Sequence, residues 1–492
     1  MALITFNAQN LDDYRMFLRV KSLPQYRIVG RTAEFPDEYA HLLGDVVTHA
    51  NAGTYQPIDG LFDYQRDIAR MATEKRKFAV FADCGLGKTL ILLEFARHAI
   101  QQLPADRRVL IVSPLMVVGQ TIADAATWYG DSLPIDRVPA SGLAAWLNGA
   151  GGRIGITNYD ALNDATPQGM LGGLILDESS MLKSHYGKWG ADCIRLGRGL
   201  GWKLALTGTP APNDRIEYAN HAVFLDAFPT VNAFLAKFFV NRGQTNERWE
   251  MKPHAIGPFY RALSHWCIFL NNPSTYGWKD NAAGIPPIRV HIHDVAVTSR
   301  QAAEARDLTG MLFTGNAGGI GDRAKLARIA KGGDSLKPAF IRDLIGTWPG
   351  ESTIVWCRFN AEQDAMAEAL PGSESIDGAT PYEKRVEIIA RFKAGQTRTI
   401  VTKPKILGFG LNLQVATRQV FSSLHDSYEE CYQAVKRSNR VGSTKPLDVH
   451  IPVTDLERPM VENVLRKADR VQYDTAEQER IFSEQRSMPL LG

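Results

Sequence analysis

The chain has little of several things, and each scarcity removes a class of explanation. Its 492 residues hold five cysteines, Cys84, Cys193, Cys267, Cys357 and Cys431, with no C-x-x-C pair and no Cys/His cluster. A disulfide framework, a structural zinc and an iron–sulfur centre are therefore not expected, and a reducing, cytoplasmic setting fits best. No apolar run approaches the roughly 20 residues that cross a bilayer, so no membrane partner is expected. The opening MALITFNAQNLDDYR lacks a basic stretch followed by a long apolar one, so no secretory leader is expected. Charge of one sign is also missing. Lys and Arg number 56 against 53 Asp and Glu, a formal +3 that neither demands nor forbids a nucleic-acid partner. There is no short-period repeat and no low-complexity tail. What remains is an ordinary globular composition, 45% hydrophobic and 22% charged, in a chain long enough for roughly three units.

The most informative stretch runs from Phe78 to Glu94, FAVFADCGLGKTLILLE. An apolar run suited to a buried strand leads into a turn carrying Gly85 and Gly87, then into helical spacing from Leu90 to Ala99. The glycines let the backbone turn tightly and aim its N–H groups at an anion. The following helix N-terminus favours phosphate. In that cradle Lys88 would reach the β- and γ-phosphates and Thr89 would place a hydroxyl on Mg²⁺. Ala82 stands where the P-loop pattern asks for its first glycine, and a chance turn before a helix is the rival reading of these residues.

Around this stretch the chain alternates short apolar runs with helical segments, which implies a parallel sheet with crossover helices. Candidate strands are FAVFA, RVLIVSP from Arg108, RIGITNY from Arg153, GLILDE from Gly173 and WKLALTGT from Trp202. The stretch AAGIPPIRVHIHDVAV resumes a strand pattern, and a second alternating unit follows it. Its strands are STIVWCRF from Ser352, RTIVTKP from Arg398, RQVFSS from Arg418 and PLDVHIPVT from Pro446, with helices over 361–370 and 381–393. The expected organisation is a small accessory element over 1–58 and a first α/β lobe over 59–212. A mainly helical insertion or bridge over 213–290, a second α/β lobe over 291–460 and a C-terminal tail over 461–492 complete it. The glycine-rich TGNAGGIGD from Thr314 has no strand before it and reads as a flexible turn.

Three further patterns carry chemistry. Asp177 and Glu178 close a buried strand, where two acids are costly unless they meet a metal or hydrogen-bond partners. After a phosphate loop, Asp177 would hold Mg²⁺ and Glu178 would orient and deprotonate the attacking water. The alternative is an acidic strand end that caps the next helix. Leu206-Thr207-Gly208-Thr209-Pro210 could link the γ-phosphate to neighbouring backbone, or be a plain turn. In QAVKRSNRVG, Arg437 and Arg440 are three apart, so a helix would put both on one face, ready to stabilise phosphate charge. A solvated basic helix is the rival.

Taken in order, FDYQRD, ADCGLGKT, VLIVSPL, ITNYD, LDESS, LTGTP, IVWCRF, GFGLNLQ and QAVKRSNRVG resemble the motif series of superfamily 2 helicase-type ATPases, and most of all the Swi/Snf-type DNA translocases, including stand-alone phage and bacterial forms. The resemblance covers about 61–452. It implies two RecA-like lobes with ATP between them and a nucleic-acid-stimulated ATPase that uses ATP and Mg²⁺ to move on or remodel DNA. Duplex DNA is favoured as partner and RNA is left open. By the same resemblance Gln65 would recognise adenine, Lys88 and Thr89 would handle phosphates and Mg²⁺, and Asp177 and Glu178 metal and water. Gln433, Arg437 and Arg440 would complete the site from the second lobe. The VSPL, ITNY and GLNL segments would lie toward nucleic acid or couple it to the cleft. Ser179 and Ser180 depart from the pattern, standing where many relatives carry Ala and His. Two rival functions stay open. One is a strand-separating DNA or RNA helicase, for which the aromatic FYRALSHWCIFLNNPSTYGW from Phe259 is the one candidate base-stacking surface, though it also suits a core helix. The other is a non-motor ATP switch with a protein partner. No oligomeric state follows from the sequence.

Overall fold

A computed structural model describes the chain except residues 1, 24–25, 36–42, 44–47, 50–53, 183–186, 213, 244–248, 280–284, 310–324, 327, 331–333, 408–410, 425–427, 441 and 488–492. The TGNAGGIGD turn and the first three residues of GFGLNLQ lie outside the described residues. The fold is α/β and forms two compact units, one of residues 1–83, 87–280 and 474–492, the other of 84–86 and 281–473. Among the described residues no helix is long and apolar enough to cross a membrane.

The first unit opens with a small antiparallel sheet of β1 (Ala2–Thr5), β2 (Arg27–Val29), β3 (Thr32–Phe35) and β4 (Thr48–His49), in the order β2-β3-β1-β4. Its helix Leu11–Lys21 starts where the Asn10 side chain accepts the Asp12 N–H, satisfying one free donor of the first turn. Ile4, Val20, Ala33 and Phe35 close a core of its own.

The main sheet of this unit is parallel throughout. Its strands are β5 (Lys77–Ala82), β6 (Arg108–Ser113), β7 (Asp136–Arg137), β8 (Ile154–Asn158), β9 (Leu171–Leu176), β10 (Trp202–Thr207) and β13 (Cys267–Leu270), in the order β13-β5-β10-β9-β6-β8-β7. Every residue of β6, β9 and β10 is buried. That is why their sequences are mainly apolar runs rather than alternating ones, with buried Arg108 and Lys203 as exceptions. A two-stranded ribbon, β11 (Phe239–Asn241) with β12 (Trp249–Met251), sits apart from this sheet.

The segment expected as a mainly helical insertion does contain the helices Tyr218–Phe224, Val231–Phe238 and Ile256–Ser264. It also supplies β13, which pairs in parallel with β5. Phe259 and Tyr260 are fully buried, and Trp266 and Phe269 nearly so. Phe259 meets Phe238 edge-to-face at 5.3 Å, the geometry aromatic pairs prefer. From Phe259 to Phe269 the aromatic side chains are therefore core and unavailable to stack bases, while Tyr276 and Trp278 at the end of the stretch are half-buried. The stretch expected as a C-terminal tail continues the helix Arg458–Ser487. Within the first unit Phe482 packs edge-on against Phe269 at 5.2 Å, and Glu479 accepts the Asn271 N–H at 2.5 Å.

The second unit holds a second parallel sheet of β14 (Ile288–Asp294), β15 (Thr353–Trp356), β16 (Glu374–Ile376), β17 (Thr399–Thr402), β18 (Arg418–Phe421) and β19 (Leu447–Val453), in the order β14-β19-β18-β15-β17-β16. The strand pattern of AAGIPPIRVHIHDVAV is β14 and the four strands expected after it are present, along with the short edge strand β16, whose Glu-Ser-Ile sequence carries no apolar run. Ile341, Val355, Met366, Val401 and Val420 pack its core. Lys337 and Glu457 pair at 2.8 Å in its interior.

Candidate nucleotide-hydrolysis site

In open parallel sheets the functional residues gather beyond the carboxyl ends of the strands. In the first unit β5, β10, β9 and β6 are neighbours. Their carboxyl ends therefore bring together stretches of chain that are far apart in sequence: the loop after Ala82, Thr207 to Thr209, Asp177 with Glu178, and Ser113.

The loop after β5 turns through Gly85 and Gly87, whose φ angles are 90° and 68°. These left-handed values favour glycine. The helix Lys88–Gln102 starts at once, with no side-chain cap and no acid in its first turn, so its first N–H groups are left for an anion. Buried Glu94 anchors this helix by accepting the Tyr55 hydroxyl at 2.5 Å, the Tyr129 hydroxyl at 3.0 Å and the Arg97 Nε at 2.8 Å. Lys88 is folded back over the loop, its Nζ donating to the Ala82 carbonyl at 2.8 Å and the Asp83 carbonyl at 3.2 Å. Thr89 follows it in the first turn, half-buried.

Gln65 is also at the loop. Its Oε1 accepts the Phe62 N–H at 3.0 Å, and its Nε2 lies 2.2 Å from where a Cβ on Gly87 would stand. Gly87→Ala would therefore expel Gln65 and also force a side chain onto left-handed backbone, which alone costs about 1–2 kcal/mol. The expected result is at least about a tenfold loss of nucleotide affinity by calorimetry, since each 1.4 kcal/mol is a factor of ten. Wild-type affinity would show that the loop does not need this glycine.

Asp177 and Glu178 lie immediately past β9, both buried. Asp177 accepts the Ser113 hydroxyl at 2.9 Å on one carboxylate oxygen and the Glu178 N–H at 3.0 Å on the other. Its own carbonyl accepts the Tyr159 hydroxyl at 2.7 Å. Burial, then the Glu178 charge, push the Asp177 pKa up to about 6, while Ser113 and Lys88 pull the other way. A carboxylate so desolvated is primed to take a cation. Glu178 has φ 48°, left-handed for a residue with a side chain. Next to it the Ser179 hydroxyl lies 3.0 Å from Nε2 of His221. At the end of β10 the Thr207 hydroxyl accepts the Thr209 N–H at 3.2 Å.

The expected residues of the second half group in the second unit. The helix Tyr428–Val435 carries Gln433 but ends before either arginine. Arg437 and Arg440 therefore do not share a helix face, as their spacing suggested. They follow the helix in turns, and the reason is tertiary. The Arg437 carbonyl accepts the Leu413 N–H at 2.9 Å, and its Nε returns to the Gln433 carbonyl at 3.1 Å. Arg437 is buried. Arg440 is half-buried, its Nη1 on the Leu411 carbonyl at 3.4 Å.

Ser113 and Tyr159 were legible as parts of motifs but not as partners of Asp177. His221 carried no sequence signal at all. Among the described residues no cluster of three or more His, Cys, Asp or Glu is placed to hold a metal ion. One carboxylate beside a phosphate loop nevertheless suits Mg²⁺, which keeps several waters and takes its remaining ligands from few side chains and from phosphates.

Comparison with known proteins agrees with this picture. Residues 336–442 match the family described as helicase conserved C-terminal domain. Putative protein p41 of Acyrthosiphon pisum secondary endosymbiont phage 1 is 22% identical over 432 residues, covering 79% of this chain and 91% of that protein. The SWI/SNF-related matrix-associated actin-dependent regulator of chromatin subfamily A-like protein 1 of Drosophila melanogaster is 22% identical over 409 residues, and the match spans 79% of this chain but 52% of that protein. Among solved structures, the Sulfolobus solfataricus SWI2/SNF2 ATPase core in complex with dsDNA aligns over 82% of this chain and 89% of that one, with 18% identity and a TM-score of 0.40. Residues 336–442 thus match a helicase C-terminal domain, and over most of its length the chain is similar to superfamily 2 helicase-type proteins of the Swi/Snf kind.

Proposed function

We propose that the chain hydrolyses Mg²⁺-bound ATP and uses the cycle to move along, or remodel, duplex DNA. The observation that supports this most is the gathering of Lys88, Ser113, Asp177 and Glu178 beyond the carboxyl ends of neighbouring strands. The uncapped start of the helix Lys88–Gln102 and the glycine loop would bind the phosphates. Thr89 and Asp177 would hold Mg²⁺, which when bound neutralises charge on the phosphates. Lys88 exchanges its two carbonyl partners for phosphate oxygens. Glu178 takes the proton of the attacking water, with its backbone N–H already fixed by Asp177. Gln65, packed on the loop, would recognise adenine, as its motif implies. Gln433, Arg437 and Arg440 enter this reading through their motif, as groups that stabilise phosphate charge.

Duplex DNA follows from the motif set and needs no strongly basic chain, because backbone amides and hydroxyls make many phosphate contacts. The phage relative suits work inside a bacterial or phage-infected cell. The test is ATP hydrolysis measured with duplex DNA, single-stranded DNA and RNA. Stimulation by duplex DNA is expected, falling steeply as salt rises. Stimulation by single strands or RNA alone would replace this reading with a strand-separating helicase, and no response to any nucleic acid would replace it with an ATP switch.

A further inference from the structure

We infer that His221 is a positioning residue for the hydrolytic reaction, holding the turn that carries Glu178 through the Ser179 hydroxyl. This rests on the reading of Glu178 given above and adds to it a residue from a separate helix.

Glu178 is held at φ 48°, a conformation that a residue with a Cβ resists and that persists only where its surroundings impose it. Its N-terminal side is clamped by the Tyr159 hydroxyl on the Asp177 carbonyl at 2.7 Å and by the Asp177 carboxylate on the Glu178 N–H at 3.0 Å. The clamp on its C-terminal side comes from the helix Tyr218–Phe224. Two consecutive side chains of that helix reach the turn. His221 Nε2 lies 3.0 Å from the Ser179 hydroxyl, and Asn220 Nδ2 donates to the Leu182 carbonyl at 2.6 Å.

His221 is fully buried, with its ring edge-on to Phe81 at 5.3 Å. Phe81 belongs to β5, the strand that delivers the phosphate loop. The imidazole is thus wedged between that strand and the Glu178 turn. Burial pushes its pKa down to about 4, so it stays neutral at physiological pH and acts as a fixed hydrogen-bonding group rather than as a charge. The same helix is itself held from the C-terminal helix, where Gln478 Nε2 donates to the Tyr218 hydroxyl at 3.2 Å.

The experiment compares Ser179→Ala, His221→Leu, His221→Gln and the Ser179→Ala/His221→Leu double variant with Glu178→Gln. Each is read by kcat, KM for ATP, nucleotide binding and thermal unfolding. Ser179→Ala and His221→Leu are each expected to lower kcat about tenfold to a hundredfold, the range for misplacing a reacting group, with ATP binding and KM unchanged. The double variant should be no worse than the worse single one, because both remove the same contact. His221→Gln, whose amide can reach the same hydroxyl, should recover most of kcat. Normal kcat in folded Ser179→Ala overturns the inference, as do losses that multiply in the double variant or that appear in KM. Should His221→Leu not fold, Ser179→Ala alone decides, since it removes one oxygen. The two levels separate cleanly. Normal turnover in Glu178→Gln sinks the reading of Glu178, whereas an inactive Glu178→Gln beside a normal Ser179→Ala sinks the positioning role alone.

Discussion

Glu178→Gln is expected to lower ATP turnover by about 10²–10⁴-fold, the contribution of a positioned general base, while leaving nucleotide binding intact. The substitution keeps the size and planarity of the side chain and removes the basic oxygen. Glu178 is nearly buried, so bulk water is a poor substitute for that oxygen. In the proposed function phosphate binding falls to other groups, chiefly the glycine loop, the start of the helix Lys88–Gln102 and Lys88, none of which the change touches. Steady-state hydrolysis alongside binding of a fluorescent ATP analogue checks both halves. A variant that hydrolyses at the wild-type rate would remove Glu178 from the chemistry.

The second large effect concerns stability. Asp226→Asn is expected to destabilise the first unit by about 3 kcal/mol, the lower end of the cost of breaking a buried ion pair. Lys203 on β10 is 1% exposed, and its Nζ donates to the Asp226 carboxylate at 2.9 Å and to the Phe224 carbonyl at 2.9 Å. Lys77 on β5 reaches the same carboxylate at 2.9 Å. Burial lowers the Lys203 pKa and Asp226 works against that shift. For Asp226, burial alone would raise the pKa, but Lys203 and Lys77 outweigh it and hold the group ionised. Removing the carboxylate therefore strands one buried ammonium and weakens a second. Asn is the fair replacement because Asp226 has φ 58°, a left-handed value that Asn tolerates. The lower end applies because the Asp226 side chain is about one-fifth exposed (21%), so water screens part of the pair. Thermal unfolding measures the loss, and Lys203→Met in the same chain should restore part of it. An unchanged midpoint in Asp226→Asn would mean that Lys203 does not depend on this partner. The pair joins β5 and β10, the strands that deliver the phosphate loop and Thr207, so this stability bears directly on the site.

Much of the candidate site is legible in one dimension because its parts are local. Gly85, Gly87, Lys88 and Thr89 lie within one turn, and Asp177 and Glu178 are adjacent. Strand-to-helix transitions announce themselves through a change of apolar period, which is why the strands carrying these motifs were visible. β13 was less so, since Cys267–Leu270 sits inside an aromatic segment whose apolar residues suit a helix equally well. Arg437 and Arg440 show the opposite failure. Helical spacing is only a local preference, and the contacts that turn the chain after Val435 come from Leu411 and Leu413.

The amino-acid order by itself determined the glycine turn before the helix Lys88–Gln102, the acid pair, the two alternating α/β halves and their likeness to helicase-type ATPases, because each is written in neighbouring residues. Tertiary structure alone decided that Ser113 and Tyr159 grip Asp177, that His221 meets Ser179, that the aromatics from Phe259 to Phe269 are core and that a C-terminal helix packs beside β13. These contacts join residues tens to hundreds of positions apart. Which strands become neighbours depends on the packing of whole sheets and helices, and no local pattern of side chains encodes that.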